Sequence, residues 1–180
     1  MDETAVSVIG MMIAMIIMFI VPVILISDTS DDIAELVAQT ATADFVDDVI
    51  KTGRITSNRY YDFVTYLNAS GNKYDIDVEV KILDENTAKI FNGNTPGNNT
   101  YYSIYTSQIE EKLKKSEEIT DNNIMGKIIL KQGDAISVTV KNSSATFSQA
   151  LKSAYYRATG ADLHIITATA SGTVAIDGRT

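Results

Sequence analysis

The chain is predicted to be an α+β protein: a long N-terminal transmembrane and stalk helix followed by a small antiparallel sheet packed with helices. Three observations predict it. Ala5 to Ile26 is a run of 22 residues without a charge. An acidic segment of helical period follows it, to Thr52. Beyond that, two segments alternate apolar and polar residues, Tyr74–Ile82 and Ile136–Val140. Such alternation marks strands with one face on a core and one in water. Helical segments separate these strands without a regular βαβ rhythm, which favours an antiparallel sheet covered on one face.

The uncharged run, as an α-helix, is about 33 Å long and matches a hydrocarbon core of about 30 Å. It has no polar stripe, unlike the usual amphipathic helix of a soluble protein. A cleaved secretion signal fits less well, because Asp2 and Glu3 stand where a basic region belongs and Ile24-Leu25-Ile26-Ser27 is no small-x-small site. Pro22, one turn from the end, predicts a local kink rather than a break. Gly10 and Ala14 form a small-xxx-small pair that lets another helix approach. Met11, Met12, Met15 and Met18 read as adaptable apolar surface rather than ligands. No Lys or Arg occurs before Lys51, so the positive-inside rule does not orient the span. The short acidic tail and the Asn-, Thr- and Ser-rich remainder place the large domain outside the cytoplasm.

Asp28 to Thr52 holds seven acidic residues and one basic residue, Lys51. At 100° per residue, Ile33, Leu36 and Val37 share one side, opposite Asp31, Asp32 and Glu35. Phe45, Val46, Val49 and Ile50 then lie about half a turn away. The apolar stripe changes sides near Thr40. Either the helix breaks there, or one long helix shows its two halves to different surfaces. Asp28, or Ser30 if the span ends first, is the expected cap of a new start. Gly53 is the expected stop. Residues 1–27 are thus read as the membrane helix, 28–53 as the stalk and 54–180 as the head.

Within the head, Thr56 or Ser57 caps a helix whose buried face is Tyr60, Phe63, Val64 and Leu67. The strand Tyr74–Ile82 follows, then an Asn-, Gly- and Pro-rich loop from Asp84 to Thr100. Tyr102, Tyr105, Ile109 and Leu113 have the spacing of a third helix. Ile124–Leu130 and Ile136–Val140, around Gln132-Gly133-Asp134, read as an antiparallel hairpin. Phe147, Leu151, Ala154 and Tyr155 form another helical face, stopped at Gly160. Leu163–Ile176 closes the chain as one strand, or as a hairpin turning at Ser171-Gly172.

Net charge is −8 and the pI about 4.6, so no basic patch is available for nucleic acid. The chain has no cysteine, which removes disulfides and thiolate metal sites. The one histidine, His164, opens an apolar strand without metal-ligating neighbours at the usual spacing and reads as structural. Asp31-Asp32 and Asp47-Asp48 do not converge, because adjacent helical residues point 100° apart. No phosphate loop, nucleophile elbow or calcium loop is present. No catalytic, cofactor-binding or metal-binding residue is expected. Asn68, Asn98 and Asn142 head Asn-x-Ser/Thr triplets, which matter only in a host that glycosylates them.

Glu3 ahead of the apolar run, Pro22 within it and the acidic helical continuation to Ile50 resemble TadE-like and type IV pilin-like proteins. Lys131-Gln132-Gly133-Asp134 with Ile136–Val140, and Phe147 to Gly160, also look like membrane-anchored proteins of Gram-positive bacteria from pilus- or conjugation-type gene sets. The resemblance implies a structural subunit of a surface filament or a conjugation or secretion apparatus, with no enzymatic activity. It implies contacts with lipid and with copies or related subunits through the N-terminal helix. Glu3 would inherit the role of meeting a neighbouring subunit's terminal amine. Gly10, Ala14, Ile33, Leu36 and Val37 are the other expected subunit contacts. The alternative expectation is a membrane-tethered accessory or sensor domain that does not assemble.

Overall fold

One helix, α1, runs from Glu3 to Thr52 in a computed structural model that describes residues 3–83, 101–115, 126–144, 153 and 165–179. Its 50 residues make it about 75 Å long. It passes through Pro22 and through the stretch near Thr40 as one element, so of the two readings of the stripe the single long helix is the one observed. The threonines fit because their hydroxyls bond back along the helix. Thr42 is fully buried and donates to the carbonyl of Ala38 at 2.6 Å, and Thr29 donates to that of Leu25 at 3.0 Å. Gly53 ends α1 with φ +64, a left-handed conformation that glycine adopts without strain, and its N–H donates to the Val49 carbonyl at 2.8 Å.

A three-residue strand, β1 (Arg54–Thr56), leads into α2 (Ser57–Asn68). Thr56 is the N-cap, its hydroxyl accepting the N–H of Arg59. The later elements are β2 (Tyr74–Leu83), β3 (Tyr101–Tyr105), α3 (Thr106–Lys115), β4 (Lys127–Ile129), β5 (Ala135–Asn142) and β6 (Thr167–Thr173). The main sheet is fully antiparallel in the order β3-β2-β5-β6, with Val78 opposite Val138 and Val138 opposite Ala170. Ile76, Val78 and Val80 point inward with Ile136, Val138, Val140 and Ala168. Asp75, Asp77, Glu79, Ser137, Thr139 and Thr169 form the other face. α1 lies against the apolar face at β5 and β6, α3 lies against β2 and β3, and α2 packs on α1. Ile55, Leu67, Ile109, Leu113 and Leu130 complete the core.

Two expectations for the head are corrected. Tyr102 and Tyr105 belong to strand β3, not to a helix. Their i, i+3 spacing imitates a helical face, but the segment pairs with the edge of β2, Ile104 opposite Val80. The helix starts at Thr106, where Gln108 reaches back to accept the Tyr105 N–H at 3.3 Å, half of a capping box. Lys127–Ile129 does not form a hairpin with β5. It pairs with β1, Ile128 opposite Ile55, in a separate two-stranded sheet. Both edges of β5 are already paired, with β2 and with β6, and Asp134, nearly fully buried, turns the chain at this point. One carboxylate oxygen accepts the Lys131 N–H at 2.7 Å and the other accepts the Leu83 N–H at 2.9 Å. Of the two readings of the last segment the single strand is the one observed: Ser171 and Gly172 lie inside β6 and pair with Ser137 and Ile136. The helix expected between Phe147 and Gly160 lies outside the described residues apart from Ser153, which is helical. His164 and the Asp84–Thr100 loop lie outside them too.

Tyr60 ties α2 to α3. Its hydroxyl donates to the Glu110 carboxylate at 2.9 Å, and burial followed by that hydrogen bond pushes the phenol above its ordinary value. A raised folded-state value means that the contribution is complete below the unfolded phenol's pKa of about 10 and declines as pH rises beyond it. Wild-type protein is therefore expected to lose stability between about pH 10 and 12 more steeply than Tyr60→Phe. Denaturant titrations across that range check this.

Candidate subunit-contact surface

Why the head grips α1 only from Ala34 onward follows from lengths and side-chain sizes. Ala34 lies beside β2, where the Tyr74 hydroxyl donates to its carbonyl at 3.4 Å. At the other end the Ile50 carbonyl accepts the Ala175 N–H at 3.2 Å. α1 thus runs alongside β6 in the same direction. Sixteen helical steps cover about 24 Å, and the strand from Ile166 to Val174 covers about 26 Å. The helical face turned to the head begins with small residues, Ala34, Ala38 and Ala41, and ends with Phe45, Val46 and Val49, all buried. Phe45 stacks on Phe63 of α2, ring centroids 4.6 Å apart and 13° from parallel. β6 is small on its inner face as well, with Ala168, Ala170 and Gly172.

The rest of α1 has no cover among the described residues. Glu3–Val23 is long and apolar enough to cross a membrane, and none of its most apolar window is buried. Between Ile26 and Ala34 the helix advances about 12 Å, which sets the head off from the end of the apolar run. On the side away from the head an apolar line continues past that run: Ile26 is 71% exposed, Ile33 57% and Leu36 64%. Val37, one position round, is half-buried. Farther along the same side the residues become polar, with Thr40, Asp44 and Asp47 all exposed.

The expected contact residues therefore fall into two groups on one helix. Glu3, Gly10 and Ala14, spaced by seven and four, share one stripe of the protruding half and are exposed. A Cβ placed on Gly10 would meet nothing within 4 Å. Ile33 and Leu36 form the second group, at the foot of the head on its far side. Ile26 extends this second group and was hidden within the apolar run. Its signal is the spacing of seven to Ile33. The docking role of Ala34 and Ala38 was also missed, because alanine registers weakly in a search for large apolar residues.

Electrostatics separate the two sides of the stalk. Asp48 is held at the head by Arg59, Nε to Oδ2 3.0 Å, and this carboxylate raises the guanidinium's pKa further. Asp47 pairs with Lys51 on the exposed side at 3.4 Å, a solvent-facing pair that adds little stability. Among the described residues, no group of three His, Asp or Glu side chains could hold a metal ion. The Asn68 side chain is exposed, whereas the amide nitrogen of Asn142 is buried. Comparison with protein-family models, with curated proteins and with solved structures finds no match.

Proposed function

We propose that this protein is a single-pass, pilin-like subunit of a surface filament or of a conjugation or secretion apparatus. Its head lies outside the cytoplasm and its N-terminal helix packs among those of sister or related subunits. One observation carries the reading: a continuous helix is buried in its own head over its last third and bare and apolar over its first half. Residues 5–23 expose nearly every side chain, among them Met18, Phe19 and Ile20. An apolar surface of that extent is not left in water. Lipid covers it in the membrane, and helices of other subunits cover it in an assembly, where small positions such as Gly10 and Ala14 permit close approach.

The test is fractionation and crosslinking of the full chain. The protein is expected in the membrane fraction, with the head open to protease from outside. A single cysteine introduced as Ala14→Cys is expected to form disulfide-linked dimers in the native membrane. A protein found monomeric in detergent-free buffer, without membrane association, overturns the proposal. A further expectation separates contact from fold: Leu36→Asp should weaken assembly while shifting the head's unfolding free energy by no more than about 0.5 kcal/mol. Denaturant unfolding and crosslinking of the same variant check both halves.

A further inference from the structure

Charge is distributed unevenly along the chain. Nine of the 23 acidic residues and none of the 15 basic ones precede Lys51, so residues 51–180 carry a net charge of only +1. The negative charge of the protein is thus a property of α1, and seven of its carboxylates lie between residues 28 and 50. The apolar line of Ile26, Ile33 and Leu36 is bordered by Asp32 and runs into Asp44 and Asp47, all three exposed on the side away from the head.

We infer that the neighbour seated on this line is a helix carrying Lys or Arg, a related subunit of opposite charge rather than a second copy in register. The inference rests on the assembly reading above and names the partner of the same surface. Anchors that share a bilayer sit at one height, so parallel copies bring like segments of the stalk together. Packed helices approach to about 8–10 Å, close to the screening length of about 8 Å at physiological salt. At that spacing Asp32, Asp44 and Asp47 of one copy meet the same residues of the next, with one Lys51 each in return. Like charges brought together in this way disfavour a pair, while opposite charges select the partner and speed its capture. Lys51 does not compensate, because it already faces Asp47.

The absence of native cysteine allows a direct test. Full-length protein bearing Leu36→Cys is reconstituted in phosphatidylcholine vesicles alone, or with a differently tagged chain bearing Leu36→Cys together with Asp32→Lys, Asp44→Lys and Asp47→Lys. The substituted aspartates are exposed and face away from the head, so the head is expected to unfold as before. At ~10 mM salt the mixed disulfide is expected to exceed the wild-type-charge homodimer about tenfold, falling toward parity at ~1 M, where the screening length is about 3 Å. Equal yields at low salt overturn the inference. The same proteins with the cysteine at Ala14 instead of Leu36 provide the control. Dimers at Ala14 with no charge preference at Leu36 would leave the assembly reading standing and remove this one. No dimers at either position would remove both.

Discussion

Replacing Phe45 by alanine is expected to destabilise the head by about 3–5 kcal/mol, the usual consequence of deleting a buried aromatic ring. Phe45 is 5% exposed, stacks on Phe63 and meets Tyr60 edge-on, so it joins α1 to α2. Beyond the ring contacts, truncation leaves a cavity at the point where the small-residue face of α1 gives way to the large one. For a chain of this size the loss corresponds to a fall in Tm of about 6–20 °C. Thermal unfolding of the full-length protein in detergent, followed by near-ultraviolet circular dichroism, measures it. Leu36→Asp, nine residues away on the same helix, should leave that Tm within about 2 °C, within the range of an exposed substitution. A similar large drop for both variants would mean that the outward face of the stalk belongs to the head's core.

The second large effect is expected at Gly178. Here the C-terminal segment closes over the end of α1: the Gly178 N–H donates to the Leu130 carbonyl at 3.0 Å, and the Leu130 N–H donates to the Gly53 carbonyl at 2.8 Å. A Cβ on Gly178 would run into the carbonyl group of Gly53, and one on Gly53 would lie 2.5 Å from the Gly178 nitrogen. Both obstacles are backbone, so no side chain can move aside. Gly178→Val is expected to cost about 3 kcal/mol and to lower Tm by about 6–12 °C. Gly172→Ala supplies the contrast. Its new methyl group meets only the tip of the Ile50 side chain, a flexible end, and the cost should be nearer 1 kcal/mol. Parallel melts of the two variants decide whether the clasp is rigid. A Gly178→Val protein as stable as wild type would show that the segment can lift off the helix.

Those two sites differ in how visible they are in the sequence. Phe45 could be read directly, because it belongs to an i, i+1, i+4, i+5 apolar face with Val46, Val49 and Ile50. Gly178 could not, since its constraint comes from Gly53, 125 positions earlier. The same division holds across the head. α2, β2 and β5 were legible because each carries its own period over five or more residues. β1 was not, because three residues hold too little periodicity, and β4 was legible as a strand but not in its pairing with β1. Asp134 reads as an ordinary turn residue. Burial and two backbone N–H groups, one of them on β2, make it a fixed joint.

The candidate contact surface divides in the same manner. By itself the sequence determined that residues 5–26 are uncharged, that the helix beyond them is acidic, and that its apolar stripe changes sides near Thr40. These are local patterns, and the geometry of an α-helix converts them into faces without further information. The tertiary structure decided which of the two faces the head takes. It chose Ala34, Ala38 and Ala41 with Phe45 and Val49, because a helix of that length with a small-residue face fits along β6. Ile33 and Leu36 were thereby left bare on the opposite side. Only the sheet, assembled from strands up to a hundred residues apart, could make that choice.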